Sequence, residues 1–390
     1  MARVSAVVAH DEPARSSGGR RPPRLRVAIT FEQSWHAVPG GIATSTVELV
    51  RALAADDHLD AVGVAALHRR PAPESSTPPV VVHHLLLPRL ALFEMWHRLR
   101  WPPVELATGP VDVVHGTIIA VPASRAPLVL TIHDLAFLTH PDHFTRRGIR
   151  FFRRALQLAR RHARLVTCPS RATLEECLAA GFEADRLRLV PWGVRVEEST
   201  AGDVERSRQR YGLARPYVFF CGTVEPRKNL RRVIDAYRLL DHRDLELVLA
   251  GPLGWKEDVR PLLDGLRGRA RWLGFVPQKD LGPLYAGATV VVYPSLLEGF
   301  GLPVLEAMAQ GAPVVTSAGT ATEEVGGEAG LLVDPLDVDA IAGAIERIAD
   351  DPDLARRLGE AGRRRAAAYT WDRTAKLMLA VYAEAAGSTP

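Results

Sequence analysis

The sequence predicts an α/β protein built as two doubly wound domains, each a parallel sheet with helices on both faces. Three observations carry this. Short β-branched runs alternate with helical segments along most of the chain. The alternation breaks at the polar stretch Glu197–Asp203, which has no strand signal, and restarts at Tyr217–Cys221. A length of 390 residues accommodates two domains of ordinary size.

The elements follow in order. Residues 1–24, ending Ser16-Ser17-Gly18-Gly19-Arg20-Arg21-Pro22-Pro23, read as a disordered tail. A first domain over 25–200 has strands at Leu25–Thr30, Val111–His115, Leu128–Ile132, Leu165–Cys168 and Leu187–Val190. Helices fall at Ile42–Ala54 and Phe151–His162. A second domain over 201–370 has strands at Tyr217–Cys221, Leu245–Ala250, Arg271–Phe275, Thr289–Tyr293, Pro313–Thr316 and Leu331–Val333. Helices at Val338–Ile348, Leu354–Ala368 and Asp372–Ala385 close the chain. A cleft between two such domains is a usual ligand site.

Composition narrows the function. Hydrophobic content of 47% and charged content of 24% describe a soluble globular protein. A formal net charge of +4 does not imply nucleic-acid binding. All but four of the 49 basic residues are Arg, so each Lys merits inspection. Cys168, Cys177 and Cys221 lack metal-ligand spacing and are odd in number, which argues against a disulfide framework. A reducing, cytoplasmic setting is the expectation. No apolar run reaches the length of a membrane span, and Val4–Ala9 is too short for a signal peptide.

The most informative segment is Leu297-Glu298-Gly299-Phe300-Gly301-Leu302-Pro303-Val304-Leu305-Glu306-Ala307-Met308-Ala309. Two carboxylates bracket a glycine-rich turn and a helix start. Gly299 and Gly301 let the backbone approach a ligand, and Pro303 suits a first helical turn. The helix start offers N–H groups and a positive dipole end to a phosphate. Glu306, one turn in, is placed to accept ribose hydroxyls, as an acidic residue does in dinucleotide folds. The plain alternative is a capped helix with a solvated Glu.

Other strand exits add chemistry. Val38-Pro39-Gly40-Gly41-Ile42 opens the first helix with free N–H groups, and is neither a GxGxxG nor a P-loop. His133 in Thr131-Ile132-His133-Asp134 ends a strand, where it can donate to a sugar hydroxyl; a structural His held by Asp134 fits equally well. Cys221-Gly222-Thr223-Val224-Glu225-Pro226-Arg227-Lys228-Asn229 places two adjacent cations beside a turn, suited to phosphate oxygens. Leu273–Pro277, with Val276, offers an apolar wall to a nucleobase. Asp337-Val338-Asp339 has DxD spacing but reads as a helix start, since acidic residues suit that dipole end. The Arg-rich run from Arg146 to Arg164 reads as a solvated helix face, with anionic lipid or an acidic acceptor as the alternative.

These motifs together resemble the retaining, GT-B-fold glycosyltransferases of the glycosyltransferase family 4 group, with a mannosyltransferase-like variant. The likeness runs from about Leu25 to Ala385, and its most specific parts are Glu298-x7-Glu306 and the 222–230 segment. The resemblance implies a hexose moved from a nucleotide-diphosphate sugar, GDP-mannose by preference, to a hydroxyl acceptor. The acceptor would be a glycan, a lipid-linked glycan or a small molecule. It implies catalytic roles for His133, Arg227, Lys228 and Glu298. Arg227 and Lys228 would neutralise the leaving diphosphate, and Glu298 would address the transferred sugar. The donor would meet Gly40, Gly41, Gly222, Val276, Gly299, Phe300, Gly301, Leu302 and Glu306. Gly41 would lie near the diphosphate and Glu306 would hold the ribose.

The resemblance implies no cofactor and no metal, a cytoplasmic enzyme at most peripheral to the inner membrane face, and a last helix, 371–390, that returns to the first domain. Thr223 departs from the pattern, because many relatives carry Arg there; Arg227 would supply that second cation. Donors such as UDP-glucose, UDP-N-acetylglucosamine or a deoxysugar nucleotide remain alternatives. A nucleotide-sugar epimerase of the same fold is another.

Overall fold

The computed structural model describes residues 24–36, 40–241, 244–254, 257–266 and 268–387. The tail expected over 1–24 lies outside them but for Arg24, as do Val38 and Pro39 of the first glycine loop.

The alternation of apolar runs and helices resolves into two parallel sheets. The first contains, among the described residues, β1 (Leu25–Thr30), β2 (Leu59–Ala65), β3 (Val82–His84), β4 (Val113–Gly116), β5 (Leu128–Thr131), β6 (Ala163–Cys168) and β7 (Leu187–Leu189). Its order is β3-β2-β1-β4-β5-β6-β7. The second contains β8 (Tyr217–Cys221), β9 (Glu246–Ala250), β10 (Ala270–Trp272), β11 (Val290–Tyr293), β12 (Val314–Ser317) and β13 (Leu331–Val333), in the order β10-β9-β8-β11-β12-β13. Pairing is parallel throughout, so the central strands are buried on both faces and read as continuous apolar runs, such as Val290–Tyr293. The strand order reverses between β1 and β4 and between β8 and β11. In open α/β sheets, ligands bind outside the carboxyl ends of strands at such reversals.

The structure departs from the expected elements in several places. β2 and β3 fill the stretch between the first helix and Val111, where Asp60, Gly63, His83 and His84 interrupt the apolar pattern. β4 begins at Val113, because the Asp112 carboxylate instead accepts the Arg26 N–H at 2.7 Å. The basic helix starts at Arg146, five residues before Phe151, because Thr145 caps it and accepts the Gly148 N–H at 3.1 Å. Residues 146–150 are therefore the first turn and a half of the helix.

The helix Trp371–Ala386 packs on the first sheet rather than the second. Trp371, Met378 and Tyr382 join the core formed by Val27, Ile29 and Val129. Tyr382 Oη bonds His115 Nδ1 at 2.8 Å, and Thr374 Oγ1 donates to the Pro191 carbonyl at 2.8 Å. The segment after Glu197 continues into the helix Ala201–Tyr211, started by a reciprocal cap between Thr200 and Asp203.

Candidate active site between the two sheets

Loops leaving the carboxyl ends of both sheets converge. From the first sheet come the Gly40–Gly41 turn after β1, Thr117 after β4 and His133 after β5. From the second come Gly222–Asn229 after β8 and Ser295–Gly301 after β11. The two sets touch. A Cβ on Gly299 would lie 1.9 Å from the His133 carbonyl oxygen, so only glycine fits between the two backbones. Thr173 Oγ1 sits at this junction, 3.0 Å from the His133 carbonyl and 3.2 Å from that of Gly299. Gly41 faces Leu302, whose Cδ1 lies 3.6 Å from the ideal Cβ position of Gly41. The Glu324 carboxylate accepts the Arg171 and Ala172 N–H groups at 2.8 and 2.7 Å, tying the second sheet's helices to the start of Arg171–Ala179.

The cations are set by a 3-10 turn, Pro226–Lys228, which Asn229 ends in the left-handed region at φ 60°. Asn229 Nδ2 holds this turn against the loop after β11 by donating to the Pro294 carbonyl at 2.8 Å. Lys228 and Arg227 thereby meet Glu298. Lys228 Nζ lies 2.6 Å from Glu298 Oε1 and 2.6 Å from Tyr293 Oη. Arg227 Nη1 lies 3.2 Å from Glu298 Oε2, and Arg227 Nε lies 2.7 Å from Glu225 Oε1. Tyr293 Oη also donates to Glu298 at 3.0 Å.

This cluster is largely buried, which shifts its protonation equilibria. Burial alone would raise the Glu298 pKa, but Lys228 and Arg227 outweigh it and hold the carboxylate below its ordinary value. Burial, followed by the neighbouring Arg227, lowers the Lys228 pKa. Burial opposes the Arg227 charge, but Glu298 and Glu225 raise it further above its already high value. Glu298 is thus an anion shared by two crowded cations. A diphosphate placed against Arg227 and Lys228 would relieve their mutual repulsion and compete for the bonds Glu298 now makes.

His133 stands across from these groups. Its Nε2 lies 2.7 Å from the Thr117 carbonyl, an acceptor, so the ring proton sits on Nε2. Burial lowers its pKa despite the opposing effects of that bond and of Asp134, leaving a neutral ring. Nδ1 has no hydrogen-bond partner among the described residues. The sequence allowed a His that donates to a sugar hydroxyl; here the Nε2 proton is engaged by Thr117 and Nδ1 is left as an acceptor. The ring packs against Trp192, which packs against Phe300 at 5.6 Å.

Other expected donor residues divide. Glu306 accepts from Gln278 Nε2 at 3.1 Å and from Tyr285 Oη at 3.2 Å, and burial raises its pKa. Gly301 caps the helix Leu302–Ala309 with φ 110°, a left-handed conformation that favours glycine. Gly222 leaves β8 with its N–H on the Ala250 carbonyl at 2.9 Å. The Phe300 ring is buried against Trp192 and Tyr369, and the Val276 side chain is buried in the second core. A ligand could meet Phe300 only through its main chain. Sequence reasoning missed Tyr293, Glu225, Thr173 and Trp192. Of these, only Glu225, inside the 222–230 segment, carried a local signal. Asp337 caps the helix Val338–Asp350 by accepting the Ala340 N–H at 2.9 Å, which fits its reading as a helix start.

Comparison with known proteins now bears on this site. Residues 39–198 match the family model described as Glycosyltransferase Family 4, and residues 203–365 match Glycosyl transferases group 1. The chain is 33% identical over 359 residues to the O-antigen chain mannosyltransferase B of Escherichia coli, covering 85% of this chain and 93% of that one. The chain belongs to the glycosyltransferase family 4 group.

This transferase is also 31% identical over 303 residues to the MMP alpha-(1->4)-mannosyltransferase of Mycolicibacterium hassiacum, 71% of each chain. The crystal structure of Anabaena HepE in complex with UDP-glucose superposes with a TM-score of 0.74 at 20% identity, covering 93% of this chain and all of that one. The fold is therefore the two-domain GT-B arrangement expected from the motifs. No helix among the described residues is long and apolar enough to cross a membrane.

Proposed function

We propose that the transferase moves a hexose, with retention, from a nucleotide-diphosphate sugar to a hydroxyl of a glycan, lipid-linked or small-molecule acceptor. GDP-mannose is the preferred donor in this reading. The observation that carries it is the pair Arg227–Lys228, held in a tight turn against Glu298, with Arg227 and His133 lining one cavity. In the reaction, the bond from the sugar's anomeric carbon to the diphosphate oxygen breaks and a bond to the acceptor oxygen forms. The acceptor's proton passes to the departing phosphate oxygen. Arg227 and Lys228 are fixed charges aimed at the anion that develops, which is the arrangement that lowers such a barrier. Both Glu298 oxygens are engaged by cations, so this carboxylate makes a poor nucleophile. That favours front-face displacement over the covalent intermediate typical of retaining hydrolases.

His133 Nδ1 accepts from a sugar hydroxyl in this scheme, and Glu306 accepts from the ribose, exchanging its bonds to Gln278 and Tyr285. The mannosyl preference rests on the EPRKN sequence at 225–229 and on the two mannosyltransferase relatives. A lipid-linked acceptor would place the enzyme peripherally at a membrane.

The test is turnover and product configuration across GDP-mannose, UDP-glucose, UDP-N-acetylglucosamine and dTDP-rhamnose. GDP-mannose is expected to give the highest kcat/KM. A different clear winner replaces the donor and leaves the mechanism standing. Sugar interconversion without acceptor would identify an epimerase instead. Lys228→Ala is expected to lower turnover about 100-fold while the protein stays folded. Wild-type turnover in the folded variant overturns the diphosphate role.

A further inference from the structure

Beside the catalytic cleft, the first domain holds an open cavity of about 1290 Å³ that the reaction scheme leaves unassigned. It reaches His133, Asp134 and Arg227 at one end, so it opens directly onto the reacting centre. Its far wall is the helix Arg146–His162, faced by the helix Arg89–Leu99. Seven arginines but only two carboxylates, Glu94 and Asp134, line it. A cleft lined by one sign of charge concentrates the opposite charge.

These arginines are not an ordinary solvated helix face. The helix Arg146–His162 contains no acidic residue, so its arginines repel at three- and four-residue spacing with no internal partner. Arg146 and Arg147 occupy its first turn, where cations oppose the helix dipole. Of the arginines lining the cavity, Arg98 is paired with Glu94 at 3.0 Å and Arg154 donates to the His97 carbonyl at 3.0 Å. Arg147, Arg150 and Arg153 have no ion pair or hydrogen bond to any described residue.

A second, independent observation marks the same place. His97 lines the cavity with only 3% of its surface exposed, and its Nε2 has no hydrogen-bond partner among the described residues. Buried polar atoms are nearly always paired, so an unpaired one on a residue of the cavity wall can serve a polar ligand. The His97 ring stacks on Phe151 at 4.4 Å, and Phe93 lies 6.1 Å from Phe151, giving the floor an apolar, aromatic surface. Burial, then Arg100 and Arg154, hold the His97 pKa down at about 4. The ring is therefore neutral near pH 7.

We infer that this cavity is the acceptor subsite and that it takes a phosphoryl group joined to an apolar body. Guanidinium forks from Arg147, Arg150 and Arg153 bind the phosphoryl oxygens, and Phe151 and Phe93 hold the body. A dianion suits this site better than a carboxylate, because three or more unpaired cations surround it and each fork can take two oxygens. The inference deepens the transferase reading and rests on it, since it names the acceptor's chemistry rather than the reaction. A phosphoryl group can come from a soluble phosphate ester or from a lipid phosphate.

The experiment is calorimetric titration of the full chain with inorganic phosphate, octyl phosphate and octyl glucoside. The wild type is expected to bind octyl phosphate, while octyl glucoside, which has the tail without the charge, binds at least about ten-fold more weakly. Octyl phosphate much tighter than inorganic phosphate indicates a lipid-type source; equal affinities indicate a soluble ester. Both outcomes support the phosphoryl contacts, and equal affinities overturn the apolar body. The triple variant Arg147→Gln, Arg150→Gln, Arg153→Gln, which changes only exposed side chains, is expected to weaken octyl phosphate at least about ten-fold. Unchanged affinity in that variant, or equal binding of octyl phosphate and octyl glucoside, overturns the inference. Binding of GDP and UDP to the same proteins tests the transferase reading separately, because that site uses Arg227 and Lys228. An intact nucleotide site with no octyl phosphate binding defeats the acceptor subsite alone.

Discussion

The two faces of the cleft hold positive charge in opposite ways. On the second-domain face, Lys228 is buried, Arg227 is half-buried, and both are already paired with carboxylates, Glu298 and Glu225. On the first-domain face, Arg147, Arg150 and Arg153 are exposed and unpaired. A buried charge left alone is too costly to keep, so the second face must carry its own counter-ions and is rigid. An exposed charge costs little, so the first face can wait for its anion in solvent. The comparison predicts that single changes on the second face lower stability as well as turnover in a protein that still folds, whereas changes to the arginines of the first face weaken binding alone.

Glu298→Gln is the harshest test. The amide keeps the shape but leaves Lys228 and Arg227 without the anion they share. Breaking a buried pair from one side costs about 3–5 kcal/mol. Urea unfolding of the variant is expected to show a loss in that range, together with loss of turnover. An unchanged midpoint would mean the second face is as solvated as the first, and the contrast would fail.

The same contrast explains what could be read from sequence. The second-domain face is encoded in two short runs, because Glu298, Gly299 and Gly301 lie within four residues, and Gly222, Arg227 and Lys228 within seven. The chemistry and the backbone constraint coincide there: Gly299 is glycine because the His133 carbonyl lies against it. The first-domain face is assembled from residues far apart. His97 meets Phe151 across 54 positions, and nothing local marks either as a cavity wall. The Arg146–Arg164 run is visible in the sequence as charge, but it becomes a cavity wall only through the helix Arg89–Leu99 opposite, which no local signal announces. Phe300 was read as a donor contact together with its neighbours; its ring fills the core beside Trp192, which leaves only its main chain for that role. β2 and β3 escaped because their polar and glycine positions break the apolar pattern that marks buried strands elsewhere.

Acid separates the two halves next. His97 and His115 are buried in the first domain with pKa values held down at about 4 and about 3, chiefly by desolvation. A histidine depressed in the fold binds its proton more readily when unfolded. Its stabilising contribution is therefore full above about pH 6.5 and is lost as pH falls toward 4, at about 1.4 kcal/mol per pH unit for each residue. Hydrogen exchange followed by mass spectrometry, from pH 7.5 down to pH 5, is expected to show protection falling first in β4 and in the helix Arg89–Leu99. Uniform loss across both sheets, or none, would show that these histidines do not set the acid response of the first domain.

The smallest effect concerns how the first face is kept in place. Tyr382, on the last helix, reaches under the first sheet to His115, which in turn bonds Thr131 Oγ1 at 2.7 Å, two residues before His133. Thr131 Oγ1 also lies 2.7 Å from Thr167 Oγ1, so the chain of bonds runs from the last helix through β4 and β5 to β6. Tyr382→Phe removes one hydroxyl and leaves His115 Nδ1 buried without its partner. That loss costs about 1–3 kcal/mol, because the unmade bond is not replaced by water. Nucleotide affinity should be unaltered, since the second face makes no use of this relay. Adding His115→Leu should recover part of the loss, because removing both partners costs less than orphaning one. If Tyr382→Phe is as stable as the wild type, the last helix holds the first sheet by its apolar face alone, through Trp371 and Met378, and the buried relay contributes nothing to positioning His133.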